Sequence, residues 1–239
     1  SVEVGSALNR LARIISEQGR PAEAVLLAQE AIKTFEASGA SGESLSLVNS
    51  RKALGAALVS DRKYADADKV FSKMKADIAH TKQEGHNISA ADLDWVIAML
   101  KLGKGNDAHD MTHEMLTMAT KKENVSESRL NYLQAFNAMA IHATGKDDQA
   151  REMYRKVMPK LIERVRNDAE NQTTSTKQQE RTVLILEDNI ALLAKQTKTH
   201  PQVAAQVAAE AFSLADLARG SSVQRALNAS AARANIKDP

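Results

Sequence analysis

The sequence predicts an all-α fold: an α-α superhelix, a solenoid of about five helical hairpins closed by a C-terminal capping helix. Composition is the first reason. Of 239 residues, 43% are hydrophobic but only 3% aromatic, so alanine and leucine carry the apolar content and favour helices over strands. Only four prolines interrupt the chain, which leaves long stretches free of helix breakers. The second reason is a short signal that recurs four times: GRPAEA (Gly19 to Ala24), RKYADA (Arg62 to Ala67), GKGNDA (Gly103 to Ala108) and GKDDQA (Gly145 to Ala150). Its closing alanines stand 43, 41 and 42 residues apart, a period that means stacked helical hairpins.

Each signal follows one apolar helical stretch, helix A, and precedes another, helix B. In the first repeat Leu11, Ala12 and Ile15 precede the turn and Ala24, Ala28 and Ala31 follow it; in the second, Leu54, Gly55 and Leu58 lead to Ala67, Phe71 and Met74. Small residues at the crossing let two helices approach, and larger neighbours fill the gap. Gly19, Gly103 and Gly145 stand where helix A must end in a left-handed cap. Pro21 opens a helix B because the first-turn amide has no intrahelical partner.

This pattern resembles the tetratricopeptide repeat (TPR) in its longer form of about 42 residues per unit, as in kinesin light chains and many bacterial proteins. The small–small–large signature is clear in the first two repeats. It weakens in the third, at Thr112 and Met115, and in the fourth, at Tyr154 and Val157. The resemblance runs over about residues 5 to 215.

Expected A helices span about 2–17, 43–60, 89–102, 126–143 and 175–197, and B helices about 21–38, 64–84, 106–122, 146–170 and 201–219. Ser44, Ser89, Ser126 and Ser175 are the expected N-caps, the last with Gln178 in capping-box spacing. Pro159 lies inside RKVMPKLIERV and is expected to kink or end its helix. The polar run Asn167 to Arg181 reads as a loop or a long helix end. The fifth helix B registers on Ala204 or Ala205.

Several function classes find no support in the residues. There is no cysteine, hence no thiol nucleophile, Cys-based zinc site or disulfide in the chain. Lys+Arg 32 against Asp+Glu 30 is too balanced to argue for nucleic acid or an anionic membrane. No stretch approaches a membrane-spanning length. The chain opens on SVEVGSALNRLARII, without Met and without a signal-peptide pattern, so it reads as a processed product or excised piece for which the cytoplasm is favoured. No phosphate-binding glycine loop and no paired Ser, His and Asp are present, and no cofactor is implied.

His109-Asp110-Met111-Thr112-His113 places two histidines at i, i+4, the spacing of zinc ligands in H-E-x-x-H proteases. An aspartate replaces the glutamate, and two ligands do not make a metal site. A metal-dependent hydrolase using His109 and His113 is the alternative from another class, against which a surface position for both is the expectation. His80, His86 and His200 read as solvated, and His142 as a cation favoured at a helix C-terminus. Lys156, Lys160 and Arg164 form a basic stripe that Asp147–Arg151, Glu152–Lys156 and Arg164–Asp168 pairs would partly neutralise.

In a TPR superhelix the A helices line the concave groove. Counting from the anchor alanines places Ser6, Asn9, Arg13 and Ser16 there, then Asn49, Lys52 and Ala56, then Leu93, Ile97 and Lys101, then Tyr132, Ala135, Met139 and His142. Asn9, Arg13, Asn49 and Lys52 resemble in type the carboxylate clamp by which some TPR domains hold a peptide C-terminus, while Tyr132 and Met139 would offer an apolar contact. The expected partner is a protein or peptide.

The chain closes with AFSLADLARGSSVQRALNASAARA (Ala211 to Ala234). Gly220 reads as a left-handed cap, Ser221 with Gln224 as a capping box, and Val223, Ala226, Leu227 and Ser230 as the face by which a second helix covers the last repeat. Residues 1–220 are thus expected to form the array and 221–239 a capping or linker helix. Phe212, Leu214, Asp216, Arg219, Gly220, Ser222, Val223, Gln224, Arg225 and Leu227 resemble the segment that joins bacterial TPR arrays to a C-terminal CHAT domain, a caspase-like protease module. The resemblance implies a non-catalytic scaffold that serves a larger protein, whose catalytic His and Cys would lie beyond Pro239. A stand-alone TPR adaptor or peptide-sensing regulator is the alternative.

Overall fold

A computed structural model describes residues 1–79, 89–121, 124–171 and 175–234, with 168–171 and 221–234 described by their backbone alone. The described residues are helical with short connections. In chain order the helices are α1 (Val2–Glu17), α2 (Pro21–Ala37), α3 (Leu45–Ser60), α4 (Tyr64–Ala79), α5 (Leu93–Lys101), α6 (Gly105–Thr120), α7 (Glu127–Ala143), α8 (Asp147–Asn171), α9 (Thr176–Thr199) and α10 (Ala204–Ala234), with a 3-10 turn at Pro201–Val203. The odd-numbered helices are the A helices and the even-numbered ones the B helices. His80, His86 and the expected end of the second helix B fall outside the described residues.

One backbone motif turns the chain from A to B. After α1, the Gly19 amide bonds Ser16 O and the Arg20 amide bonds Ile15 O, the paired bonds of a Schellman cap. The same pair follows α3, α5 and α7, where the residues at the left-handed position are Arg62, Gly103 and Gly145. The anchor alanines Ala24, Ala67, Ala108 and Ala150 are fully buried, as close hairpin crossing requires. Between α9 and α10 the device changes. His200 leaves the helical region (φ −131°, ψ 73°), as the residue before a proline must, and the 3-10 turn at Pro201 leads into α10. Here neither Ala204 nor Ala205 is fully buried, and Val207, Leu214 and Ala218 form the inner face.

The chain divides into two compact units, Ser1–Met111 and Thr112–Pro239. In the first, Phe35 of α2 packs over Gly5 of α1, where an added Cβ would meet the ring at 2.9 Å. Phe71 of α4 packs in the same way over Gly55 of α3 and stacks on Trp95 of α5, ring centroids 5.6 Å apart. Polar pairs fix the neighbouring hairpins. Buried Arg51 donates to Gly42 O at 2.9 Å and pairs with Asp77 at 2.6 Å, with Glu36 3.7 Å away. Asp68 accepts from Trp95 Nε1 at 2.7 Å and from Lys104 Nζ at 2.6 Å. Burial pushes the Asp68 carboxyl pKa up, but these two hydrogen bonds and the Lys104 charge outweigh it and hold the pKa below its usual value.

In the second unit the core gathers Phe136, Tyr154, Leu161, Ile185, Leu186, Leu192 and Leu193, all nearly inaccessible. Thr112 donates to Asn137 Oδ1 at 2.9 Å, and Asn131 Nδ2 donates to Val157 O at 3.1 Å.

Four expectations are corrected and one is narrowed. Of the kink or end expected at Pro159, the end does not occur: α8 runs through it to Asn171, because burial of Val157, Met158 and Leu161 around it, each worth about 1.5–3 kcal/mol, offsets the roughly 3 kcal/mol cost of an interior proline. Ser89 is not an N-cap: its Oγ accepts from Ala91 N, and Asp92 caps α5 by accepting from Asp94 N at 2.8 Å. Ser44, Ser126 and Ser175 do cap their helices. Asp147 does not pair with Arg151: it pairs with Lys195, while Arg151 holds Glu210 with two hydrogen bonds. No turn occurs at Gly220, and α10 passes through it unbroken to Ala234. Glycine costs only about 1 kcal/mol in a helix interior, and its alanine- and leucine-rich flanks sustain the helix. The capping face expected of Val223, Ala226, Leu227 and Ser230 depends on side chains outside those described. Finally, Met139 is only 7% exposed; it fills the core of the second unit and offers little surface to a partner.

Candidate partner-binding surfaces

In the first unit the expected contact residues lie at two adjacent levels of the A-helix layer, where α1 touches α3 and α3 touches α5. Asn9 and Lys52 occupy equivalent repeat positions, as do Ser6 and Asn49, so all four share one face. Arg13 and Asn49 are exposed, and Asn9 and Lys52 half-buried. The Lys52 ammonium is engaged, donating to Ser89 O at 3.0 Å and tying α3 to the segment before α5. The freely presented groups are therefore the Arg13 guanidinium and the Asn49 amide. One level further along, at α5, Ile97 is buried.

In the second unit Tyr132 is half-buried, its ring edge-on to Phe136 (5.4 Å) and 5.8 Å from the Arg164 guanidinium. Arg164 also donates to Ser128 at 2.9 Å, while Lys160 pairs with Glu127 and Lys156 with Glu152. The basic stripe is thus a solvated face tied down by local partners. Its Asp168 side chain lies outside those described.

His142 of α7 is the centre of a polar clamp. Its Nδ1 donates to Asp188 Oδ1 of α9 at 3.0 Å, the buried Tyr154 hydroxyl of α8 donates to Asp188 Oδ2 at 2.6 Å, and Asp147 lies 4.0 Å from Nε2. The Asp188 hydrogen bond raises the His142 pKa, burial opposes it, and the Asp188 and Asp147 charges add to it. Burial, then the Asp188 charge, pushes the Tyr154 hydroxyl well above its usual pKa. The clamp joins three helices through the Asp188 carboxylate, which accepts from both His142 and Tyr154, while Asp147 Oδ1 is buried without a hydrogen bond and acts on His142 through its charge.

A cleft of about 450 Å³ opens where α8, α9 and α10 meet. Arg151, Arg155, Gln196, His200, Gln206 and Glu210 are among the residues that line it. Sequence reasoning does not anticipate it, although Arg151–Arg155 and Gln202–Gln206–Glu210 each recur at the i, i+4 spacing that puts residues on one helix face. His109 is half-buried with Asp110 3.8 Å away, and His113 is exposed. Among the described residues, no three His, Asp or Glu side chains gather closely enough to hold a metal. No described helix is long and apolar enough to cross a membrane.

Residues 4–37, the first hairpin, match the tetratricopeptide repeat family. None of the curated proteins matches the chain significantly. Among solved structures, the chain is similar to the nearly identical TPR-like repeats of a Podosopora anserina protein described as a putative kinesin light chain: 18% identity, TM-score 0.58, 92% of this chain and 95% of that one. A single-substitution variant of those repeats is similar at 19% identity and TM-score 0.59, over 87% of this chain and 93% of that one. This chain therefore has the all-α fold of a TPR-like α-α superhelix, and its residues 4–37 match the tetratricopeptide repeat.

Proposed function

We propose that this chain is a non-catalytic scaffold that binds a protein or peptide through the A-helix face of its first hairpins, with Arg13 and Asn49 as the polar contacts and Asn9 beside them. The observation that carries the reading is the stacking of equivalent positions on α1 and α3, which repeats polar groups at adjacent levels of one surface. A ladder of this kind recognises an extended chain residue by residue. Lys52 joins only by exchanging the Ser89 carbonyl for a ligand carboxylate, so it contributes less than its charge suggests. In the second unit Tyr132 supplies an aromatic contact.

The resemblance of Ala211 to Ala234 to the segment preceding CHAT domains supports a more specific reading. The array is then the interaction portion of a larger protein, with residues 221–239 leading towards a caspase-like effector. A reading frame that continues past Pro239 into an α/β segment with His and Cys supports it, and one that ends nearby favours the stand-alone adaptor.

The scaffold reading is tested by affinity capture with mass spectrometry, repeated with Arg13→Glu and with Asn49→Asp. Loss of the same partner from both variants, with helical content unchanged, is the expected result. Undiminished capture by both places the interaction elsewhere.

A further inference from the structure

The cleft between α8 and the turn from α9 to α10 gathers hydrogen-bonding groups that the fold leaves unused. Its walls belong to two consecutive hairpins of the second unit, at the first turns of α10, so its shape follows from how those hairpins stack. On α8, Arg151 and Arg155 stand one turn apart on one face. The Arg151 side chain is 7% exposed and holds Glu210 with two hydrogen bonds, which ties α8 to α10 at the cleft wall. Its Nε is buried without a hydrogen bond, so the guanidinium has donor capacity to spare. Arg155 is exposed, lines the same cleft and makes no ion pair among the described residues. Across from α8, the side-chain amides of Gln196, Gln202 and Gln206 also lack hydrogen-bond partners among the described residues.

Charge decides what such a cleft can hold. Glu152 is paired with Lys156 and Glu210 with Arg151. Arg155 is then the unpaired cation of the lining and Asp148, about two turns away on α8, its unpaired anion. A phosphate dianion would face the carboxylates of Asp148, Glu152 and Glu210 with one unpaired cation to balance it. A single carboxylate matches that cation, and a guanidinium can hold it with two parallel hydrogen bonds. Each glutamine amide offers both a donor and an acceptor, the complement of a peptide group. Val203 and Val207 supply apolar surface for a short aliphatic stem.

We propose that this cleft is a second binding site, for an acidic residue of an extended peptide. The side-chain carboxylate pairs with Arg155, the glutamines hydrogen-bond the peptide groups on either side of it, and Asp148 accepts from the N–H groups of the neighbouring residues. The Arg151–Glu210 pair keeps the two walls at a fixed separation, so the site is formed before the peptide arrives. It shares no residue with the A-helix surface of the first unit and is read out separately from it.

The test is heteronuclear NMR of the full chain, titrated separately with N-acetylglutamate amide, N-acetylglutamine amide, propionate and inorganic phosphate. The capped glutamate is expected to shift the backbone signals of Arg151 to Arg155 and the side-chain amide signals of Gln202 and Gln206 saturably. The capped glutamine, which lacks the charge, and propionate, which lacks the amides, are each expected to bind about tenfold more weakly, the scale of one charge-assisted hydrogen bond. Arg155→Gln is expected to weaken the capped glutamate by about tenfold and to leave the capped glutamine unchanged. Arg155 is exposed, and unshifted signals from the rest of the chain check that the variant keeps its fold. The absence of saturable shifts at the cleft overturns the proposal. So does propionate or the capped glutamine binding as well as the capped glutamate, phosphate binding more tightly than either, or an Arg155→Gln variant that binds the capped glutamate undiminished.

Discussion

Arg62 holds at φ 59° the backbone position that Gly19 holds at φ 75°, each at the end of an A helix and each followed by the same pair of amide-to-carbonyl bonds. A side chain in the left-handed region costs roughly 1–2 kcal/mol that glycine does not. Arg62 is exposed, so little packing is at stake. Arg62→Gly is expected to raise stability by about 1 kcal/mol, and Gly103→Ala, whose added Cβ meets nothing within 4 Å, to lower it by a similar amount. Urea midpoints check both. A destabilised Arg62→Gly would contradict the backbone account of the turn.

Gly55→Ala sets two effects against each other. Alanine is favoured in a helix interior by about 1 kcal/mol, but the new Cβ would overlap the Phe71 ring. Phe71 is fully buried and stacked on Trp95, so it has little room to retreat, and overpacking of this kind costs about 1–3 kcal/mol. Net destabilisation is expected, with partial recovery in Gly55→Ala/Phe71→Leu. Fluorescence of Trp95, the one tryptophan of the sequence, reports the displaced ring.

The His142 clamp makes stability depend on pH. The folded pKa is raised above the unfolded value of about 6.5, so the stabilisation is complete below that value and is lost as pH rises through the folded pKa. The groups facing His142 are Asp188, Asp147, Tyr154 and Lys195, the last of which opposes protonation. Denaturation midpoints measured upward from about pH 6 are expected to fall in the wild type, and His142→Gln to remove most of that slope. An unchanged slope in the variant would assign the dependence to another group.

The hairpin plan is legible in the sequence because it rests on local chemistry repeated at a fixed period. The glycines at positive φ, Pro21 at a first turn and the buried anchor alanines can each be read from a few neighbouring residues. What escapes depends on distant partners or on small energy differences. Gly220 reads as a stop, but its modest helix penalty is outweighed by its flanks. Lys52 is occupied by a carbonyl 37 residues away, which no local pattern announces. The α8–α10 cleft brings together three segments, and the choice of Arg151 for Glu210 over Asp147 follows from helix packing rather than sequence spacing. Met139 can be counted onto the A-helix layer, but its burial comes from how closely the neighbouring helices pack.

The most direct test of the scaffold account is site-specific photocrosslinking to the captured partner. A photoreactive side chain is introduced at Asn49, on the A-helix face, or at Lys69, exposed on the B helix α4. The account predicts a covalent adduct from position 49 and none from position 69. An adduct from position 69 with none from position 49 would contradict it.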